Sequence, residues 1–249
     1  MSDPTDEENL SGETEQESRA PWWRRPAAAV AAVVLLAGLG VGLGLGLSGG
    51  GKVIGPEGVP IQQVPDLTPN STTATGQTID GITCRTPANQ SVKYHIHVLV
   101  EIFVNGQQRR LPAGAGIASP RFAEHLSTGL FYDDTESSCL YWLHIHADDG
   151  VIHVESPYVG TFTLGQFFDI WQQPLGPDQV GPAHGTVVSY INGKKFTGSP
   201  RDLPLLRHAV IQLDVGSPVV AFHNVRFAVN GLCGAGTQGC TLPGGAPAP

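Results

Sequence analysis

A single methionine, the initiator Met1, occurs among the 249 residues. Its isolation excludes a methionine-rich Cu(I) site and removes the usual weak axial ligand of a blue-copper centre. Basic residues are scarce as well, with 14 Lys and Arg against 22 Asp and Glu and a formal net charge of −8. A nucleic-acid partner is disfavoured, because phosphate binding needs a clustered basic face and none is visible. The chain also lacks a Ser nucleophile elbow, a phosphate-binding loop and a Cys/His pair with a convincing third member. Gly (32) and Pro (20) are abundant instead, which implies turns and linkers rather than long helices.

The few charges are unevenly placed. Residues 1–25 begin with Asp3, Asp6, Glu7, Glu8, Glu13, Glu15 and Glu17 and almost no apolar side chains, the composition of a disordered acidic tail. Residues 26–48 read as a transmembrane signal anchor. Ala27–Leu47 carries no charge and is close to the roughly 20 residues that cross a bilayer. Trp22, Trp23, Arg24 and Arg25 flank its start, so the positive-inside bias places the N-terminus in the cytoplasm and the remainder outside the cell membrane. A cleaved signal peptide or a twin-arginine export signal would be the rival readings; the acidic leader and the residues around Arg24-Arg25 fit them poorly. Gly38, Gly42 and Gly46 share one face of this span and would let two helices approach as a dimer, unless they are only low-complexity sequence.

Beyond the anchor, 49–78 reads as a flexible linker, 79–232 as a β-rich folded unit, and 233–249 as a Cys-bracketed loop with a frayed tail. Four cysteines in an oxidising compartment imply disulfides. Cys233 and Cys240 bracket a Gly-rich loop and pair most simply with each other, which leaves Cys84 and Cys139, each just ahead of a His-bearing stretch.

Alternation predicts a strand over 92–104, with Tyr94, Ile96, Val98, Val100 and Ile102 on one face and His95, His97, Leu99, Glu101 and Phe103 on the other. Asn105-Gly106 and Asn192-Gly193 are tight hairpin turns. Further strands are expected over 140–146, 151–155, 186–191, 194–196, 208–214 and 219–229. One helix is expected, with Thr163 and Gln166 as a capping box, Leu164, Phe167, Phe168 and Trp171 at core spacing, and Pro174 at its end. The fold class is therefore α+β, mainly antiparallel β, as a sandwich, roll or β-grasp-like sheet with one short helix.

The segments YHIHVLVEIFVNG (94–106) and CLYWLHIHADDGVIHVESP (139–157) concentrate five of the nine histidines. On a pleated strand, residues i and i+2 share a face, so His95 points with His97, and His144 with His146. A four-residue loop at 147–150 would set His144 opposite His153, with Trp142 facing Glu155. Strand-borne His-x-His pairs supply two imidazoles to one ion, and a third ligand completes an open site. His95, His97, His144, His146 and His153 are thus the candidate metal ligands, more than one mononuclear site needs, so that either two of them are supporting or structural or the site is dinuclear; Glu155 or Glu101 is the candidate base. A solvated polar face is the plain alternative. Imidazole with carboxylate suits copper or zinc outside a cell.

Those segments, together with FTLGQFFDIW, resemble uncharacterised bacterial and archaeal extracytoplasmic proteins, often membrane-anchored, over roughly 84–215. In such proteins an aspartate directly follows the second His-x-His; here Ala147 holds that place and Asp148 comes next. The resemblance implies a functional histidine set and no particular activity. The expectation is a membrane-anchored extracytoplasmic protein that binds copper or zinc. A metal-dependent enzyme and a metal-free interaction module are the alternatives.

Overall fold

The computed structural model describes residues 52–68, 73–89, 91–132 and 137–227. The acidic tail, the expected anchor with Gly38, Gly42 and Gly46, and the Cys233–Cys240 pair lie outside them. Among the described residues no helix is long and apolar enough to cross a membrane.

A seven-stranded sheet organises the fold. Its strands are β1 (Tyr94–Val104), β2 (Gln107–Arg109), β3 (Leu143–His144), β4 (Val151–Ser156), β5 (Val187–Ile191), β6 (Lys194–Phe196) and β7 (Val210–Val215). Across the sheet they run β6-β5-β7-β1-β4-β3, and β2 returns beside the far half of β1. Strand pairing is mostly antiparallel, as the short turns require. The exception is β7, which lies parallel to β1 with Val210 opposite Leu99. Sequence patterning does not reveal this pair, because a parallel neighbour arrives through a long crossover rather than a local turn.

The alternation along β1 sorts the sheet into two faces. Ile96, Val98, Val100 and Ile102 are fully buried in the main core, packed with Phe167, Phe168 and Trp171 of α1 (Leu164–Trp171), the one α-helix among the described residues. Truncating one of these rings to alanine would cost about 3–5 kcal/mol. The opposite face carries the histidines. Thr163 and Gln166 close the expected capping box, while the helix ends on Gln172 in the left-handed conformation (φ 59°), two residues before Pro174. Both Asn-Gly turns adopt positive φ, at 50° and 76° for Asn105 and Gly106 and at 50° and 80° for Asn192 and Gly193.

Three expected segments differ. The strand expected over 140–146 divides at Trp142. Its first part, Cys139–Tyr141, joins a small sheet with Cys84–Arg85 and Ile117–Ala118, held by the Cys84–Cys139 disulfide. Only Leu143–His144 enters the large sheet. The expected strand over 219–229 is not a strand across its described part. Its backbone donors go to side chains of β7 instead: Val220 N–H to Asp214 Oδ1 at 3.0 Å and His223 N–H to Gln212 Oε1 at 2.7 Å.

The largest departure concerns the expected linker over 49–78. Residues 52–68 pack on the histidine face, where Val59 is fully buried beside Leu99, Val151 and Val210. Hydrogen bonds fix the segment: Gln62 N–H to Asp148 O at 3.0 Å, Gln62 Nε2 to Asp149 O at 3.0 Å, and Arg110 Nη1 to Gln62 O at 3.0 Å. Its lack of periodicity reflects an irregular strap docked by single side chains, which has no pattern to read.

Candidate metal centre

Register creates the cluster. Within the β1–β4 ladder, His95 lies opposite Glu155 and His97 opposite His153; in the β3–β4 ladder, His144 lies opposite His153. The last pairing is the one expected from the hairpin. Opposed residues project to the same side of a sheet, so His153 sits between strands bearing rings on both flanks. Its ring centroid lies 4.4 Å from that of His97, 4.6 Å from His146, 5.3 Å from His144 and 5.6 Å from His95. All five predicted histidines are therefore brought together.

His146 arrives by a route the hairpin reading missed. The chain leaves the sheet after His144, and Tyr132 N–H donates to the His146 carbonyl at 2.9 Å. The ring turns back nonetheless, stacked on Phe131 with centroids 5.0 Å apart. Gly116 makes room for the preceding strand. A Cβ there would lie 2.3 Å from the Leu143 carbonyl oxygen and 2.8 Å from His144 Cα, at a φ of +82°.

Ring orientations are set from behind. His144 Nδ1 lies 2.8 Å from the Tyr141 carbonyl oxygen and His146 Nδ1 lies 2.6 Å from that of Tyr132. A carbonyl oxygen only accepts, so each Nδ1 carries the proton and donates it. Both Nε2 atoms then present bare lone pairs, and they face each other at 3.0 Å.

Two carboxylates flank His153 on its two nitrogens. Glu155 Oε1 is 3.4 Å from Nδ1, and Glu57 Oε1 is 3.2 Å from Nε2. Glu155 also reaches His95 Nε2 at 3.2 Å and His144 Nε2 at 3.9 Å, while the second oxygen of Glu57 is 3.4 Å from His97 Nε2. Glu57 is the one member of this cluster that the sequence does not point to. It sits in the docked strap, at the tip of a turn closed by Gly55 N–H to Val59 O at 2.8 Å. The one cue in the sequence is that Glu57 is the sole charge between Lys52 and Asp66.

Burial governs the charge states. It holds His144 at a pKa of about 3 and His146 at about 4, each further lowered by a neighbouring histidine. Desolvation likewise keeps His97 well below the ordinary value and lowers His95. For His153 burial alone would lower the pKa, but Glu57 and Glu155 outweigh it and push it up to about 10. Burial would raise both glutamates; facing His153 instead takes Glu57 down to about 2 and Glu155 well below the usual range. Without a metal, the cluster thus holds four neutral rings, one imidazolium and two carboxylates, a net −1.

In each of two sets the donor atoms all lie within 4.8 Å of one another: His144, His146, His153 and Glu155 in the first, and His95, His97 and His153 in the second. These buried groups have the composition and spacing to hold a transition-metal ion. A cavity of about 180 Å³ lined by Arg85, Asn89, Trp142 and Glu155 opens beside the first set.

The other candidate base is elsewhere. Glu101 accepts from Gln108 Nε2 at 3.2 Å and lies 2.9 Å from His223 Nδ1, in a separate cavity of about 490 Å³ whose lining includes Lys52, Gln62 and Leu99. None of the five clustered histidines lines that cavity. Asp148 pairs with Arg110 at 3.3 Å and takes no part in the cluster.

Comparison with protein-family models, with curated proteins and with solved structures gives no match, so the function rests on the site itself.

Proposed function

We propose that this protein binds a divalent transition metal, copper or zinc, at the buried histidine cluster. The carrying observation is the 3.0 Å approach of His144 Nε2 and His146 Nε2. Both rings are neutral and protonated on Nδ1, so neither Nε2 can donate to the other. Two buried lone pairs pointed together repel unless a cation lies between them. Metal–nitrogen bonds of about 2.0–2.1 Å at tetrahedral angles put ligand nitrogens about 3.3 Å apart, close to the spacing seen. A backbone carbonyl behind each ring is the usual support for a ligating histidine.

Further support comes from charge. A cluster of net −1 accommodates a divalent cation better than a buried cluster of neutral rings would, because a desolvated cation needs paired carboxylates. Imidazole and carboxylate donors suit Cu(II) and Zn(II). The reading extends to place: Ala27–Leu47 as the anchor puts the domain outside the cell, and the Cys84–Cys139 disulfide is consistent with an oxidising compartment. A catalytic role has one observation in its favour, the cavity that reaches Glu155, where a bound water would be open to solvent.

Elemental mass spectrometry on the full chain, purified without a polyhistidine tag and incubated with copper or zinc, is the test. Bound metal that disappears in a His144→Ala/His146→Ala variant is the expected result. An unmodified chain that takes up neither ion overturns the proposal.

A further inference from the structure

Seven donors surround this cluster, five imidazoles and two carboxylates, whereas one zinc or copper ion takes four or five. The surplus is ordered around a single ring. The two donor sets share only His153. Its Nδ1 faces Glu155 at 3.4 Å and its Nε2 faces Glu57 at 3.2 Å. These carboxylates come from different elements, Glu155 from β4 and Glu57 from the strap docked over the same face.

The Nε2 side has its own unmet need. His97 Nε2 and His153 Nε2 are buried and make no hydrogen bond, although each lies within 3.4 Å of a Glu57 oxygen. These contacts have the length of a hydrogen bond but do not meet its geometry. Buried polar nitrogens without a partner are rare. Two ring nitrogens and a carboxylate converging in this way are the donor chemistry of a second cation.

We infer that His153 is a bridging ligand between two metal ions, one on Nδ1 with His144, His146 and Glu155, the other on Nε2 with His97 and Glu57. His95, 3.2 Å from Glu155 and grouped with His97, stands at the seam between them. This rests on the metal-binding reading and extends it from one ion to two. The bridge forms when His153 gives up both N–H protons to solvent, one for each metal–nitrogen bond. The ions then sit about 6 Å apart, two bonds of about 2.0 Å and the width of the ring. Glu57 serves the second ion alone, which gives the strap a role in binding as well as in packing.

Copper is the probe that separates the outcomes. The chelator-treated full chain, without an affinity tag, is titrated with Cu(II), and metal content is compared with the integrated electron paramagnetic resonance signal. Two coppers per chain and a low-temperature signal integrating to far less than two spins are expected, because an imidazolate couples the ions. Glu57→Gln, which keeps the shape of the strap, should bind one copper with one full spin. A His97→Asn variant should do the same through a different strand. One copper in the unmodified chain overturns the bridge while leaving the metal site standing; none overturns both. Two coppers with two full spins mean separate sites, and His153 is then no bridge.

Discussion

Gly116 is where packing and site meet most directly, and Gly116→Ala is the sharpest perturbation available. The residue has φ +82°, and the added Cβ would meet the Leu143 carbonyl oxygen at 2.3 Å and the His144 Cα and Cβ at 2.8 and 2.9 Å. The backbone conformation costs an L-residue about 1–2 kcal/mol. Overpacking against main-chain atoms, which cannot rotate away, adds about 1–3 kcal/mol. Together these make about 2–5 kcal/mol, which for a folded unit of this size lowers the melting temperature by roughly 5–20 °C. Gly81→Ala is the control, since Gly81 has φ +78° but nothing within 4 Å of its Cβ position. It should show the conformational cost alone. β3 is the last strand of its sheet and is held on its other side by the Gly116 segment, Tyr141 N–H to Gly116 O at 3.0 Å and Ile145 N–H to Ala115 O at 2.9 Å, so a shift at Gly116 is passed to His144. Metal affinity of Gly116→Ala should therefore fall by roughly tenfold or more, about 1.4 kcal/mol. Calorimetric melting of the metal-free proteins and a competitive metal titration read the two effects. Equal melting of both variants, with unmodified metal affinity, would show that the close approach of Gly116 to β3 does not hold.

Two further expectations concern charge and covalent ties. His144 stays neutral in the metal-free fold because burial lowers its pKa to about 3, whereas the unfolded chain takes up that proton below about 6.5. Its contribution to stability is thus complete above pH 6.5 and is lost as the pH falls toward 3, on the order of a few kcal/mol by pH 4.5. In urea titrations with a chelator present, His144→Asn should lose correspondingly less stability than the unmodified chain between pH 7 and 4.5; matching slopes would contradict a buried neutral ring. The Cys84–Cys139 disulfide closes a separation of 55 residues, worth up to about 4 kcal/mol in the chain-entropy account. A Cys84→Ser/Cys139→Ser protein should melt lower by that scale yet still bind metal, because the β3–β4 and β1–β4 ladders that hold the rings do not depend on the bond.

Much of this site is legible in the sequence because strands impose a period of two. His95 and His97, or Ile96 and Val98, declare their faces without any partner being known, and a short loop sets His144 opposite His153. Capping chemistry at Thr163 and Gln166 and the two Asn-Gly turns are equally local. What the sequence hides is non-local. The parallel β1–β7 pair joins residues more than a hundred positions apart, and nothing near Leu99 names Val210. His146 stays in the cluster although its backbone has left the sheet, because Tyr132 and Phe131 hold it from another hairpin. Glu57 is hidden most completely, on a strap whose docking depends on Gln62 and Arg110 rather than on any repeat. Glu101 shows the converse error: it shares the histidines' face of β1, but four residues along an extended strand place it about 13 Å away.

The parallel pairing also has a consequence for assembly during synthesis. Every clustered donor, from Glu57 to Glu155, has been made by the time β4 is complete. By contrast β7, which covers the other edge of β1, comes more than fifty residues later. Until then β1 has one open edge, and the core beneath Ile96 and Val98 lacks Ile211 and Leu213. Long-range pairing of this kind is slow relative to hairpin closure. A nascent chain therefore passes through an interval in which its clustered histidines and glutamates have all been made and its aliphatic layer is still unsealed. Capture of an ion in that interval would favour the antiparallel half of the sheet and present β1 as a ready template for the last strand.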